Sequence, residues 1–512
     1  MNLNIATARD LENPRDRRIY RFLEILPGAL SWLTLALAVF LSWYAPFWVA
    51  IFILFFDFYW LVRAFYSSFY FYSGYRKMEE SKNTDWIEKL KSRSGWEKIN
   101  HLCLFTLYDE PYEVVKDAFS ALAQSDYPKE KIVVVLSVEE SRRAKTQETV
   151  ARIENEFKDK FFKLLITWHP FGLSGEISGK GSNDRWAAMR AKEKIIDPLG
   201  IPLESVIVSF FDVDTCVFPK YLSCLAWHFL DSDDPHRKSY QPIPLFVNNI
   251  WQAPVFSRNF ALSSIFWALL CQSRPEKLIT FSSHSMSFKS LVEVGFKQAN
   301  IVSDDSRIFW QSFLKFDGNY SVQPLFYPVA MDANVASNFF KTIRNIYKQQ
   351  ARWAYGCDEI PFVLFDFLRN KKISLKKKIS QAIFLIEGHW SWATNAFLIF
   401  FLGWLPLVLG GERFSQTLIA HNLPQIASRI MTVATVGLIV SIYLTFAVLP
   451  VRPKGIGKSK YIFIIVGWFL APFSMIFFSS LPALDAQTRL MFGRYMGFWV
   501  TEKHRRTVSN KQ

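Results

Sequence analysis

Two apolar runs open the chain. Residues 25–44 and 47–66 are each long enough to cross a bilayer, softened only by Pro27 and Gly28 and parted by Ala45 and Pro46. No charge lies between them, and Arg15, Arg17, Arg18 and Arg21 precede the first. The positive-inside rule therefore predicts a tight hairpin with both ends in the cytosol. Within the second run Arg63 is expected to snorkel, whereas the deeper Asp57 calls for a polar lumen, a partner or an interhelical hydrogen bond.

From about residue 94 to 370 the pattern changes. Short β-rich runs at 101–106, 131–138, 162–167 and 206–211 alternate with amphipathic stretches at 113–124, 147–158 and 182–194. This alternation predicts an α/β domain with a largely parallel sheet, which binds ligands at the carboxyl ends of its strands.

Apolar runs then return. Residues 379–392, with Glu387 and His389, read as an interface helix; 393–409 enter the membrane and 430–449 come back through it. The weakly charged stretch 410–428 is expected outside, and Arg452, Lys454, Lys458 and Lys460 mark a cytosolic loop. The last apolar run, 461–481, poses a conflict. A full crossing would export the tail, yet Lys503, Arg505, Arg506 and Lys511 favour the cytosol. Pro472 lies near the middle of the run and opens a bend. The expectation is a re-entrant hairpin, an amphipathic helix over 485–496 and a cytosolic tail. The plan is thus a basic terminus (1–24), a membrane hairpin (25–72), a catalytic domain (94–370), a basic interface region (371–392), a membrane region (393–481) and an amphipathic tail (482–512).

Composition agrees with a membrane setting. Of 512 residues half are hydrophobic and 17% aromatic, with 49 Phe and 18 Trp. The formal charge of +15 does not point to nucleic acid, because no groove-reading motif accompanies it. The basic residues gather beside apolar runs instead, Lys371, Lys372, Lys376, Lys377 and Lys378 among them, as anchors on an anionic leaflet. Five cysteines without CxxC or zinc spacing read as reduced thiols.

Candidate chemistry sits at the ends of the predicted strands. Asp212 and Asp214 follow 206–211, where two carboxylates one residue apart can hold a hard divalent cation against phosphate; a solvated turn is the plain alternative. Ser303-Asp304-Asp305 opens a predicted helix over 304–315, with Ser303 as N-cap and two acids in the first turn. A carboxylate there near the metal site can also take a proton from an acceptor hydroxyl. Gln349, Arg352 and Trp353 stand at helical spacings of three and four, offering an amide, a phosphate donor and an aromatic plate; a membrane-interface anchor has the same composition. Gly179-Lys180-Gly181 supplies mobile backbone and one cation but lacks P-loop spacing, which excludes an ATPase.

Taken in order, these segments resemble glycosyltransferase family 2, above all its membrane-embedded processive branch of cellulose, hyaluronan and chitin synthases, over roughly residues 94–503. Tyr108-Asp109-Glu110-Pro111 is similar to TYNEP, Asp126-Tyr127-Pro128 with Lys131 to DYP…K, and Lys180 with Asn183 to GKxxxxN. Asp212 and Asp214 match DxD, Ser303-Asp304-Asp305 resembles TED, and Gln349-Gln350-Ala351-Arg352-Trp353 matches QxxRW. Phe281-Ser282-Ser283-His284-Ser285 stands in place of FFCGS, with His284 where Gly is usual, and Phe498-Trp499-Val500-Thr501-Glu502-Lys503 matches the gating motif FxVTxK. The resemblance implies a GT-A-type (Rossmann-like) α/β catalytic domain inserted between transmembrane helices of a cell membrane, with the domain cytosolic. It implies inverting transfer from a nucleotide sugar, a UDP-sugar foremost, to a carbohydrate or lipid-linked acceptor. Asp212 and Asp214 would hold Mg²⁺ or Mn²⁺, and Asp305 would be the base. Arg352 and Lys180 would face the diphosphate, Trp353 would support the acceptor sugar, and Gln349 would complete the catalytic set. Tyr108, Glu110 and Glu139 would meet the nucleotide, and Thr501 and Lys503 would close on its phosphates. Transfer of a single sugar to a lipid phosphate and a non-catalytic scaffold are the alternatives. A transporter is excluded for want of paired broken-helix repeats, and the oligomeric state is open.

Overall fold

The computed structural model describes residues 3–499. Two helices lead. In α1 (Pro14–Tyr44) the Asn13 side chain accepts from the N–H groups of Arg15 and Asp16, and Pro14 takes the first position, where no N–H is needed. A break at Ala45 leads into α2 (Pro46–Asn83), 38 residues long. At 1.5 Å per residue that is about 57 Å, well beyond the ~30 Å of a hydrocarbon core. The helix therefore continues past the expected hairpin as a strut against the α/β domain: Met78 is buried with Ile243 and Leu262, and the Ser81 carbonyl accepts from Trp86 Nε1 at 2.7 Å.

The domain then builds β1 (Asn100–Leu107), α3 (Tyr112–Ala123), β2 (Ile132–Glu139), α4 (Arg143–Phe157), β3 (Lys163–His169), α5 (Lys180–Ala191) and β4 (Val206–Asp212). All four expected strands are present, parallel and adjacent in the order β3-β2-β1-β4. Their residues are almost continuously buried, since helices cover both faces. Alternation divides them: Leu102, Leu104, Val208 and Phe210 face one core, and Cys103, Phe105, Ile207 and Phe211 the other.

The second half of the sheet departs from the expectation. It adds β5 (Cys216–Val217), β6 (Lys238–Leu245), α6 (Val255–Gln272), β7 (Ser285–Ser287), α7 (Asp304–Lys315), β8 (Ser321–Ala330) and α8 (Phe339–Ala354), giving the order β3-β2-β1-β4-β7-β6-β8-β5. Strand β7 runs antiparallel to β4 and β6, and β5 antiparallel to β8, so the sheet is mixed rather than largely parallel. Three-residue β7 is too short to show alternation. Prolines 242, 244, 324 and 328 interrupt the pattern of β6 and β8, whose ladder slips between Gln241 and Ile243.

The longer helices that follow are α9 (Leu375–Phe400), α10 (Leu418–Val448), α11 (Ser459–Phe469) and α12 (Leu481–Met491). Among the described residues three helices, α1, α2 and α10, are long and apolar enough to cross a membrane. The number rises to five if each of two bent pairs, 375–400 with 402–409 and 459–469 with 471–491, counts as one span. Helix α9 joins the expected interface helix to the following run without a break, and α10 starts inside the stretch assigned to an external loop. Three of the five clustered lysines also do other work than anchoring. Lys372 pairs with Asp317 at 3.0 Å, and Lys377 and Lys378 donate to the carbonyls of Gly318 and Phe367 at 2.7 Å each. Arg63 has a protein partner, Glu387 of α9, at 3.3 Å.

The 461–481 run bends by 59° just before Pro472, whose missing N–H relieves the ladder there. The chain is tied down once within the run and again beyond it. The Gly467 carbonyl accepts from Asn259 of α6, and the Leu490 carbonyl at the end of α12 accepts from Arg21 of α1 at 2.9 Å. Helix α12 lies hard against α1: a Cβ at Gly28 would sit 2.8 Å from both the Gln487 carbonyl and Met491 Cβ. Gly28→Leu is expected to prise this seam open at a cost of about 1–3 kcal/mol. The melting temperature of the detergent-solubilised chain checks it, with Gly28→Ala giving a smaller fall.

Candidate active site

Strand β4 delivers Asp212 as its last residue, and the chain turns at once, with Thr215 N–H donating to the Asp212 carbonyl at 2.9 Å. Asp212 Oδ2 accepts from Ser282 Oγ at 2.8 Å. Asp214 is 1% exposed; its Oδ2 accepts the Asp332 N–H at 3.1 Å, and its carbonyl accepts from Asn248 at 3.1 Å. Both acids are thus fixed from several segments, and their hard oxygen donors suit Mg²⁺ or Mn²⁺.

Helices α5 and α7 meet beside this turn. A Cβ at Gly181 would lie 2.6 Å from Asp304 Cβ, so the second glycine of Gly179-Lys180-Gly181 permits the approach. Lys180 Nζ lies 2.9 Å from Asp305 Oδ1, 3.2 Å from Asp184 Oδ2, 3.8 Å from Asp212 Oδ1 and 3.9 Å from Asp304 Oδ2. A second ammonium, on Lys297, lies 2.7 Å from Asp184, 3.0 Å from Asp305 and 3.1 Å from Asp304, above the ring of Phe210. Oxygens of these three acids fall within 4.8 Å of one another, close enough to hold a cation. The cations seated among them are the ammonium groups of Lys180 and Lys297.

Electrostatics follow from this packing. Burial opposes the charge of Asp305, but the ammonium groups of Lys180 and Lys297 outweigh it and hold its carboxyl well below the usual range. Asp304 moves the other way, raised by burial and by its neighbour Asp305. Burial also works against the Lys180 ammonium, and four surrounding carboxylates more than restore it. His284 stacks on Phe210, shares Nδ1 with the Phe281 carbonyl at 3.1 Å and stands 3.7 Å from Asp305. Burial, then Lys297, depress its imidazole to about 3.

On α8, Arg352 and Trp353 diverge. Burial lowers the Arg352 guanidinium while Asp304, Asp212 and Asp305 pull it up, which puts it in their field. Its face covers the ring of Phe498 at 4.7 Å, and Lys348 covers Trp499 at 4.8 Å. The Phe498 ring also fills the space that a Cβ at Gly179 would need. Trp353 turns toward Phe260, with ring centroids 5.6 Å apart, and with Gln349 lines a narrow recess. The Gln349 carbonyl oxygen accepts from Asn334 there at 3.1 Å.

Expected nucleotide contacts lie at the neighbouring strand ends. Arg142 covers the Tyr108 ring at 4.2 Å. Glu110 accepts from the N–H groups of Tyr108 and Asp109, shaping its own turn, and Glu139 accepts from Ser178 at 2.7 Å, tying the loop before Lys180 to β2. Asn183 is likewise engaged with Ser137 of β2. Ser303 is in the N-cap position of α7, but its hydroxyl donates to Asp358 at 2.9 Å instead of capping the helix. Thr501 and Lys503 lie outside the described residues. The structure brings Lys180, Asp212, Asp305 and Arg352 together with Ser282 and His284 of the 281–285 segment, and adds Asp184 and Lys297, which sequence reasoning missed. Asp184 was legible as the i+4 partner of Lys180. Lys297 was not, because its partner Asp184 is 113 residues away.

Family models and curated proteins yield no match to this chain. Solved structures do: the mannosyltransferase PcManGT from Pyrobaculum calidifontis in complex with GDP-Man and Mn²⁺ is 14% identical, covers 77% of this chain and 99% of its own, and has a TM-score of 0.41. TarS 1–349 of S. aureus in complex with UDP-GlcNAc is 12% identical, covering 77% and 91%, at 0.36. Likenesses this loose assign neither fold nor activity.

A pH dependence follows from the buried rings. His284 and His101 are each depressed from 6.5 to about 3, chiefly by burial. Between those values the unfolded chain binds protons that the folded chain refuses, so stability rises with pH and falls on acidification. Each histidine contributes about 1.4 kcal/mol per pH unit across that window. Melting temperatures from pH 7 to 4.5 should decline, and His284→Gln should flatten the decline.

Proposed function

We propose that this chain is an inverting, membrane-embedded glycosyltransferase of family 2 type. It would take a nucleotide sugar, foremost a UDP-sugar, and extend a saccharide at the membrane surface. The observation that carries this reading is convergence. The Lys180 loop, the DxD turn, the acids opening α7, the arginine of QxxRW and Phe498 of the tail are far apart in sequence and meet around one buried cluster. A scaffold has no need of such an arrangement.

The roles follow from position. Asp212 and Asp214 would hold Mg²⁺ or Mn²⁺, which when bound neutralises part of the donor's diphosphate charge. Lys180 and Arg352 face the same space and offset charge developing on the departing diphosphate. Asp305 accepts the proton of the acceptor hydroxyl. That oxygen bonds to the anomeric carbon as the bond to the diphosphate breaks on the opposite face, inverting the centre. Trp353 offers its ring to the acceptor sugar beside Gln349. Phe498, packed between Gly179 and Arg352, supports a tail that closes on the donor, and the bend before Pro472 supports a re-entrant 461–481 segment that keeps the tail on the donor's side.

A second reading, transfer of one sugar to a lipid phosphate, is favoured by the small number of spans, three to five among the described residues. Labelled UDP-sugars supplied to membranes containing the chain decide between them, since a long polymer marks the first and a single lipid-linked sugar the second. No product from any nucleotide sugar would refute both.

Two substitutions test the roles. Asp214→Asn should abolish transfer without unfolding the chain, and full activity in EDTA would refute the metal assignment. Asp305→Asn should lower kcat by about 10²–10⁴ while donor binding survives. A larger loss in Asp304→Asn would move the base to that residue.

A further inference from the structure

Two ammonium groups serve the acidic cluster, and they are differently placed. Lys180 opens α5, keeps 11% of its side chain exposed and reaches four carboxylates, Asp212 included. Lys297 is 1% exposed, lies behind the cluster over Phe210, and bonds Asp184, Asp304 and Asp305 at 2.7–3.1 Å. The groups facing Asp305 are Lys180 and Asp184 from α5, Asp304 from its own helix, Lys297, His284 from the 281–284 turn, and Arg352 from α8 at longer range.

A donor's diphosphate at the DxD turn competes with Asp305 for Lys180, since both are anions and Lys180 stands between them. Once Lys180 is drawn away, three carboxylates within 4.8 Å retain one close cation. Without that cation mutual repulsion would protonate one acid or drive the group apart, and a protonated Asp305 accepts nothing. We propose that Lys297 is a positioning residue for glycosyl transfer, holding Asp305 against Asp184 and Asp304 while the donor engages Lys180. The proposal rests on the transferase reading above and assigns a role that no sequence motif gives Lys297.

The test uses the full chain in membrane vesicles with a labelled nucleotide sugar, following kcat against pH and the donor KM. In Lys297→Met the acid limb of the kcat profile should move up by about 1–3 pH units, with the donor KM within about twofold of the original. Lys297→Arg should restore the limb. Should Lys297→Met fail to fold, Lys297→Gln retains an amide donor without the charge and should give the same displacement. An acid limb that stays in place in the folded variant overturns the proposal. So does a kcat lowered evenly across pH or lost together with KM, since a purely structural lysine would behave that way. If the unaltered chain turns over no nucleotide sugar, the transferase reading fails and takes the proposal with it. An unmoved limb in an active chain overturns the role of Lys297 alone.

Discussion

Charge taken out of water must be matched, and this constraint organises the centre of the molecule. Asp184 and Asp304 are nearly inaccessible, and removing one partner from a buried ion pair typically costs about 3–5 kcal/mol. The cluster is therefore stable only if α5, α7 and the chain before α7 arrive together. Each is held by something else: α5 by the β2 contact of Asn183, α7 by Asp358 and Glu359 beneath it, and Lys297 by the ring of Phe210. Lys180, Lys297 and the carboxylates around them are paired with one another before any ligand arrives.

The same economy ties the site to the membrane part. The core on one side of the sheet does not stop at the domain's edge. It takes in Leu385 and Ala393 of α9 and Ala483, Leu484 and Leu490 of α12. Buried Glu24 of α1 accepts from the Ala8 N–H and from the Tyr495 hydroxyl, three residues before Phe498. A helix long and apolar enough to cross a membrane thus fixes where residues 495–498 lie against the acidic cluster. Separating the α/β domain from the long apolar helices would break apolar packing and a buried carboxylate's hydrogen bonds at once.

Much of this was legible in the sequence, for identifiable reasons. The four parallel strands declare themselves because strands covered on both faces are continuous apolar runs, and the acids of DxD stand out because they end one of them. The long α1, α2 and α10 follow from hydropathy alone. The second, mixed half of the sheet was hidden by the prolines of β6 and β8 and by the brevity of β7. Lys372, Lys377 and Lys378 read as lipid anchors because composition cannot tell a carbonyl from a headgroup as the acceptor. Lys297 was invisible for a related reason: a lone lysine carries no periodic signal, and only the fold brings its carboxylates to it.

The departure at residues 281–285 shows how such hidden residues bear on chemistry. Ser283 adopts a positive φ of 67°, a conformation that costs a non-glycine residue about 1–2 kcal/mol, and the neighbouring contacts hold it there. Ser282 reaches Asp212, the Ser283 hydroxyl meets Thr215 at 3.2 Å, and His284 turns inward beside Asp305. A glycine at 284 would leave that inward space empty. With histidine, an imidazole kept neutral by burial fills it, excluding water from one flank of Asp305 without adding a fixed charge. The strained turn thus joins the metal-binding candidate on one side to the candidate base on the other. The segment that differs most from the motif it resembles is the one that touches both.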